Sequence, residues 1–500
     1  MNSYRKLRIV VAGLFFVALT LLFLDFTGTA HRFLGWLAEV QLLPALLALN
    51  VGVVVVLLIA TLLFGRLYCS VICPLGILQD GFARLGRRAK RNRYTYSKPK
   101  TVLRVVVLVL FVVLLVGGVG SLFTLLAPYS AFGRIVTNLL QPLWIWGNNL
   151  LALVAARMES YAFYSVEVWW KGLASLLTAL VTLAVVGWLA WRNGRTWCNT
   201  ICPVGTLLGF VSRFSLLRPV IDTEKCNGCK RCARNCKSAC IDPTNHTIDM
   251  SRCVVCFDCL DSCSQGAITY RRRIKPVAEK TEVEQPAPKS SEKQGMSRRA
   301  FLTLSAAALG STVVAQEKKK VDGGVATIID KKIPNRKTPI APAGALSARH
   351  LAQHCTACQL CVAACPNGVL RPSKGVMTLL QPELSYERGY CRPECTRCAE
   401  VCPTNAIEPI TREEKSSIQI GHAVWVRENC LAASEGVACD NCARHCPTGA
   451  IQMVEPADGG RKIPAVDTER CIGCGACEYL CPSRPFSAIY VEGHETHRTL

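Results

Sequence analysis

Six groups of four cysteines decide what chemistry this sequence can do. Cys226, Cys229, Cys232 and Cys236 are spaced Cys-x-x-Cys-x-x-Cys-x-x-x-Cys, and Cys253, Cys256, Cys259 and Cys263 repeat that spacing. Four more groups follow: Cys355, Cys358, Cys361 and Cys365; Cys391, Cys395, Cys398 and Cys402; Cys430, Cys439, Cys442 and Cys446; and Cys471, Cys474, Cys477 and Cys481. Each of these four ends in Cys-Pro, and Pro366, Pro403, Pro447 and Pro482 steer the chain away after the last thiol. Three closely spaced thiolates wrap three irons of a 4Fe-4S cube, and the fourth thiolate reaches across to a neighbouring cube. Zinc draws on two separated cysteine pairs and has no use for a third cysteine in the same short loop. A disulfide framework belongs to short secreted chains, not to 500 residues with 29 cysteines. Six groups therefore imply six 4Fe-4S clusters, two in the first module and four near the C-terminus.

The first module departs from the pattern. Lys237 and Ser264 stand where proline often follows the fourth cysteine, and Cys240 is an extra thiol able to substitute for Cys236. A second pattern uses four more cysteines. Gly65-Arg66-x-x-Cys69-x-x-x-Cys73-Pro74-x-Gly76 recurs as Gly194-Arg195-x-x-Cys198-x-x-x-Cys202-Pro203-x-Gly205. Cysteines four apart share one face of a helical turn, so the two copies could converge four thiolates on a soft metal. Pairs of structural or redox-active thiols are the other reading. His354 and His445 sit beside cluster cysteines, where a lone histidine more often hydrogen-bonds than ligates. There is no Cys-x-x-Cys-His for haem, no glycine-rich dinucleotide loop and no Walker loop, and no catalytic pocket is legible.

Long apolar runs must position these thiols. Half of the residues are hydrophobic, and 9–24, 40–64, 105–129 and 172–191 each approach the ~20 residues that cross a bilayer core. The stretch 135–156 is also uncharged but holds Asn138, Gln141, Asn148 and Asn149, so it reads as interfacial or re-entrant. Trp144, Trp146, Trp169 and Trp170 nearby read as an aromatic belt, with a cover for a quinone headgroup as the alternative. The net charge of +23 comes with no nucleic-acid motif. Its cations instead mark one membrane side: Arg5, Lys6 and Arg8, the run from Arg84 to Lys100, and Arg192, Arg195, Arg213 and Arg218 assign both ends of the four-span part to the cytoplasm.

Residues 297–315 look like an export signal inside the chain: Arg298 and Arg299, then a weakly apolar run, then Ala315 as a small residue for cleavage. The expected organisation is multi-domain. Residues 1–218 form an α-helical membrane domain of four spans, 219–273 a two-cluster bacterial ferredoxin-like α+β module, and 274–295 a linker. Residues 296–315 are a twin-arginine signal or anchor, 316–347 a second linker, and 348–500 a four-cluster ferredoxin-like α+β domain. Asn405-Ala406-Ile407 and Gly449-Ala450-Ile451 read as strand starts.

Residues 1 to about 275 resemble the NapH-type membrane ferredoxins of periplasmic nitrate reductase systems, on the four spans, the paired Cys-x-x-x-Cys-Pro motifs and the two cluster motifs. Residues 296–500 resemble the NapG/MauM-type periplasmic 4Fe-4S ferredoxins, on the twin-arginine stretch and the gaps between Cys391 and Cys395 and between Cys430 and Cys439. The resemblance implies a fusion acting as a quinol dehydrogenase of the bacterial inner membrane. It would take electrons from the quinol pool and hand them to a periplasmic reductase or cytochrome, with 219–273 cytoplasmic and 348–500 periplasmic. The alternative is a membrane ferredoxin that assists assembly or maturation of a respiratory metalloenzyme.

Overall fold

A computed structural model of the chain describes residues 3–89, 94–118, 120–272, 329–456 and 459–500. The signal-like stretch 297–315, the linker 274–295 and the start of 316–347 lie outside the described residues. Met1–Arg273 and Lys332–Leu500 form one compact unit.

The helices that carry the argument are α1 (Ser3–Leu24), α2 (Val51–Phe64), α3 (Pro74–Arg88), α4 (Thr101–Val116), α5 (Pro128–Arg157), α6 (Leu173–Asn193) and α7 (Pro203–Ser212). Among the described residues α1, α5 and α6 are long and apolar enough to cross a membrane, whereas α2 and α4 are shorter apolar helices. Two of the four expected spans, 9–24 and 172–191, thus coincide with full-length helices. The other two are broken. The run 40–64 divides into Leu42–Leu47 and α2, where Asn50 caps α2 by accepting from the Val53 amide, and 105–129 is interrupted by the left-handed Gly118.

The stretch 135–156, expected to be interfacial or re-entrant, is helical throughout. These residues belong to the continuous 30-residue helix α5, with one π-turn at Val136–Leu140. Its polar side chains find partners within the protein. Asn138 donates to Arg134 O and Gln359 Oε1, Gln141 to Ala363 O, Asn148 to Tyr164 O and Asn149 to Val166 O. Trp144 and Trp146 are 48% and 69% exposed on its outward face, as a belt residue would be. Arg371 and Arg388 pack over the Trp169 ring at 5.2 and 5.7 Å.

Helix α3 and helix α7 begin the same way. Cys73 and Cys202 are extended, and the prolines that follow occupy the first helical turn, where a missing N–H costs nothing. Before each motif a glycine with positive φ reverses the chain, 79° at Gly65 and 70° at Gly194. A Cβ on Gly194 would lie 2.3 Å from the Lys237 carbonyl oxygen.

The first ferredoxin module pairs β1 (Leu217–Ile221) with β4 (Ile268–Arg272) and β2 (Ile241–Asp242) with β3 (Thr247–Ile248), all antiparallel. The C-terminal domain pairs β5 (Leu370–Pro372) with β6 (Pro382–Leu384), β7 (Ile418–Trp425) with β10 (Ile489–Thr499), and β8 (Ile451–Val454) with β9 (Ile463–Val466). The strand expected after Gly449 is therefore present. Asn405–Ile407 is a bend instead, with Asn405 at φ 53°.

Helix α1 separates the two cluster-bearing parts. At its start Arg5 donates to Asp258 at 2.9 Å and to Asp261 at 2.5 Å in the first module. Past its end the Thr27 carbonyl accepts from Arg397 of the C-terminal domain at 2.7 Å, and Phe23 shares a core with Tyr129, Phe132, Cys358 and Leu360. Twenty-two helical residues rise about 33 Å, close to the thickness of a bilayer core.

Candidate functional site

Four of the six cysteine loops share a backbone signature. Two residues after the first cysteine, φ is positive at Gly228, Val255, Ala357 and Gly473, and it is positive again at Lys230, Phe257, Gln359 and Gly475, directly after the second. Left-handed residues at alternate positions turn successive N–H groups inward and make a concave nest for an anion. The Ala357 amide, for example, donates to Cys355 Sγ at 3.3 Å. Positive φ is a genuine outlier for a β-branched residue, so Val255 at 50° shows how strongly this shape is imposed. The donor sets fit 4Fe-4S cubes: soft thiolates in loops whose amides face a negative charge. Among the described residues no three Cys, His, Asp or Glu close on a point as a single ion would require; the thiols ring a space.

The fourth cysteine of every group crosses to its partner group. Cys226, Cys229 and Cys232 line one space with Cys263, and Cys253, Cys256 and Cys259 line another with Cys236. In the C-terminal domain Cys355, Cys358 and Cys361 lie in electrostatic reach of Cys402, and Cys391, Cys395 and Cys398 surround a space with Cys365. Cys430, Cys439 and Cys442 take Cys481, and Cys471 and Cys474 take Cys446. Cys240 is buried beside Cys236, Sγ to Sγ 3.5 Å, and in reach of Cys253. The hydrogen bond between Cys236 and Cys240 pulls Cys236 down to about 7 and holds Cys240 well above the ordinary thiol value. Both thiols line the space ringed by Cys253, Cys256 and Cys259.

The paired motifs come together. Cys69, Cys73, Cys198 and Cys202 are each at most 4% exposed, and all six pairings among them are close enough to interact electrostatically. Two wholly buried arginines clasp them crosswise. Arg66 of the first copy donates to Cys198 O at 3.2 Å and Cys69 Sγ at 3.7 Å, and Arg195 of the second donates to Cys69 O at 2.7 Å and Cys198 Sγ at 3.9 Å. Gly76 and Gly205 make room: a Cβ on either would lie 2.3 Å from the facing motif's own carbonyl, Cys69 O or Cys198 O, and under 3 Å from the other copy's arginine.

These sites form a line. The loop after Cys236 and the loop before Cys253 dock on the paired motifs, with Arg195 N donating to Lys237 O at 2.7 Å and Arg66 to Ser251 O at 3.0 Å. Tyr68 lies in reach of Cys69, Cys73 and Cys202, and Tyr129 in reach of Tyr68, Cys358 and Cys402. Further out, the Cys391 amide donates to Cys474 O at 2.9 Å, and buried Tyr386 lies between these two cysteines.

Asp80, Tyr68 and Tyr129 were not singled out from sequence. Asp80, in α3, accepts from Arg195 at 2.7 Å and Lys237 at 2.9 Å and also pairs with Arg8. It is the sole acid between Glu39 and Glu159, which is a signal that could have found it. Lys237 ties Asp80 to Asp258, so the departure from proline has a structural use. Tyr68 and Tyr129 carry no sequence signal beyond being aromatic. His354 and His445 each hydrogen-bond the carbonyl four residues earlier, through Nδ1.

A 4Fe-4S binding domain family matches residues 46–93 and 174–221, and 4Fe-4S dicluster domain families match 249–369, 354–407 and 437–484. The ferredoxin-type protein NapH of Escherichia coli is 27% identical over 239 residues, 46% of this chain and 70% of the relative. The ferredoxin-type protein NapF of the same organism is 30% identical over 176 residues, 35% of this chain and 99% of the relative. The methylamine utilization ferredoxin-type protein MauM of Methylophilus methylotrophus is 29% identical over 198 residues, 38% of this chain and 82% of the relative. No solved structure matches. With cubes as the group its loops are shaped to hold, and 4Fe-4S family models that reach both cluster-bearing parts, the chain belongs to the family of ferredoxin-type iron-sulfur electron-transfer proteins that includes NapH, NapF and MauM.

Proposed function

We propose that the chain is a quinol dehydrogenase, a NapH-type part fused to a NapG/MauM-type part, that draws electrons from the membrane quinol pool and delivers them to a periplasmic reductase or cytochrome. The observation that carries this reading is the unbroken order of thiol sites along α1. It runs from the first module, through Cys69, Cys73, Cys198 and Cys202, past Tyr68 and Tyr129, into the four C-terminal groups. A bound cube accepts and returns single electrons, so a row of them suits transport better than bond chemistry. In this reading four segments cross the inner membrane, α1, α2, α4 and α6, with α2 and α4 completing their crossing through the neighbouring short helices, while α5, tied to Gln359 and Ala363 of the C-terminal domain, lies at the periplasmic face. Residues 219–273 face the cytoplasm and 348–500 the periplasm, six cubes are held, and 297–315 directs export of the folded C-terminal domain.

The test uses membranes holding the intact chain. Added quinol should bleach the iron-sulfur absorbance of the C-terminal groups, and anaerobically purified protein should carry about 24 irons, four for each cube. Replacing both Arg298 and Arg299 with Lys should leave the C-terminal domain protected from protease added to spheroplasts. Bleaching by a soluble donor with no response to quinol would favour the assembly-factor reading, and protection of the domain in the unaltered chain would overturn the orientation.

A further inference from the structure

A cavity between α1 and α3 has no part in the path described above. It holds about 690 Å³, within the roughly 300–1,000 Å³ of small-molecule sites. Its lining changes with depth. Ile9 and Phe16 of α1 and Ile77 and Leu78 of α3 form an apolar end, whereas Arg8, Asp80, Lys237 and Asp258 meet at the other. From Arg5 to Phe16 helix α1 rises by about 16 Å, so the space runs from the end of the span well into it.

Two glycines argue that the space is meant to be filled. Gly13 of α1 and Gly81 of α3 both line it, and a Cβ added to either would meet nothing within 4 Å. Neither has a positive φ. A helix-interior glycine costs about 1 kcal/mol relative to alanine, and here no turn and no close neighbour asks for one. What both provide is room.

The polar end borders redox sites on two sides. Lys237 directly follows Cys236, and Asp258 lies between Cys256 and Cys259, ligands of the same cradle. Asp80 holds Arg195, whose guanidinium also reaches the paired cysteines.

We propose that this cavity binds the quinol, with the ring among Arg8, Asp80, Lys237 and Asp258 and the first isoprenoid units along Ile9, Phe16, Ile77 and Leu78. The proposal rests on the quinol reading above and adds where the quinol binds. Oxidation there breaks two O–H bonds. Two electrons leave one at a time to oxidised iron-sulfur centres of the chain, and two protons leave to water at the open mouth. An anionic phospholipid is the competing occupant, because Arg84, Arg87 and Arg88 also line the cavity.

The test uses the full chain in lipid nanodiscs, an azidoquinone photoprobe and mass-spectrometric mapping of its adducts. Adducts should fall within residues 5–16 and 74–88. Gly13→Phe and Gly81→Phe, which fill the space from opposite walls, should each cut their yield by about tenfold or more while iron content and melting temperature stay those of the unaltered chain. If one variant does not fold, the other serves. Adducts confined to α5 around Trp144 and Trp146 would overturn the location and leave the quinol reading standing. No saturable adduct anywhere, together with no bleaching by quinol, would overturn both. A phospholipid retained by the unaltered chain and expelled by Gly81→Phe, with adduct yield unchanged, would give the cavity to lipid.

Discussion

Asp80→Asn should loosen the first ferredoxin module from the membrane part. The Asp80 side chain is 13% exposed and gathers three cations: Arg195, Lys237 and Arg8, themselves 0%, 8% and 7% exposed. Removing one partner of a buried ion pair costs roughly 3–5 kcal/mol, because the charge left behind stays desolvated. The three pairs do not simply add. Lys237 keeps Asp258 at 3.3 Å, Arg8 keeps Ser70 O at 3.2 Å, and Arg195 keeps Cys69 O, so the same range is expected for the whole change. At 1.4 kcal/mol for each factor of ten, it corresponds to roughly two to three and a half orders of magnitude in local opening. The Arg195 amide, which donates to Lys237 O across the junction, is the reporter: its hydrogen exchange in the full chain should accelerate by that factor. Asp222→Asn is the control, since its pair with Lys225 at 3.7 Å involves a lysine 67% exposed and should matter little. Acceleration of less than about tenfold, or no more than in the control, would refute the idea that this charge cluster holds the module in place.

Other outcomes follow from single positions. Gly475→Ala should lose about four irons, because a Cβ there would sit 2.2 Å from the ring of buried Tyr386 at a φ of 78°; full iron content would contradict this. Cys236→Ser should lose the cube that Cys253, Cys256 and Cys259 share, while Cys240→Ser retains it, and the reverse pattern of iron content would exchange their roles. Burial and neighbouring His494 hold His497 down to about 4, below its unfolded value of about 6.5. The unfolded chain therefore takes up the proton first as pH falls. The stability tied to a neutral His497 is complete above about pH 6.5 and is lost towards pH 4, amounting to about 1–2 kcal/mol at pH 5. His497→Phe should flatten that part of the pH dependence of melting, and an unchanged slope would count against it.

Cysteine chemistry was legible because a thiol keeps its spacing whatever the backbone does. The crosswise ligation was legible only as a general rule, since Cys236 and Cys240 are folded side by side against the same space. Nothing in the letters Val255 or Ala357 announces a left-handed backbone, for ordinary preferences argue against it and the shape is imposed by the nest. The apolar runs were read well where no breaker intervened, as in α1 and α6. They were read less well where Asn50 or Gly118 divided them. In residues 135–156 the sequence could not show the partners of the polar groups, because Gln359, Ala363 and the loop at 164–166 are distant in sequence.

The internal repeat explains why one cube, and not its neighbour, faces the paired cysteines. Each copy offers a Gly-Arg pair at the junction, and each pair receives a different loop of the first module. Gly194-Arg195 receives the loop after Cys236, through Lys237 O. Gly65-Arg66 receives the loop before Cys253, where Arg66 reaches Ser251 O and Gly65 packs against Met250 and Val255. Beyond the motifs the copies diverge at one position that matters. Asp80 in the first copy is Gly209 in the second, and that glycine admits Arg104, which also donates to Ser251 O at 3.1 Å. One loop is thus held by an anion in α3 and the other by a cation in α4, so the module has a single orientation. Because Cys236 crosses over, both docked loops carry ligands of the same cradle, the one lined by Cys253, Cys256 and Cys259. The docking therefore sets that cradle over the paired thiols and leaves the Cys226, Cys229, Cys232 and Cys263 site on the far side. Under the proposed outward flow, that cradle is the one next to the path through Tyr68, Tyr129 and the C-terminal groups.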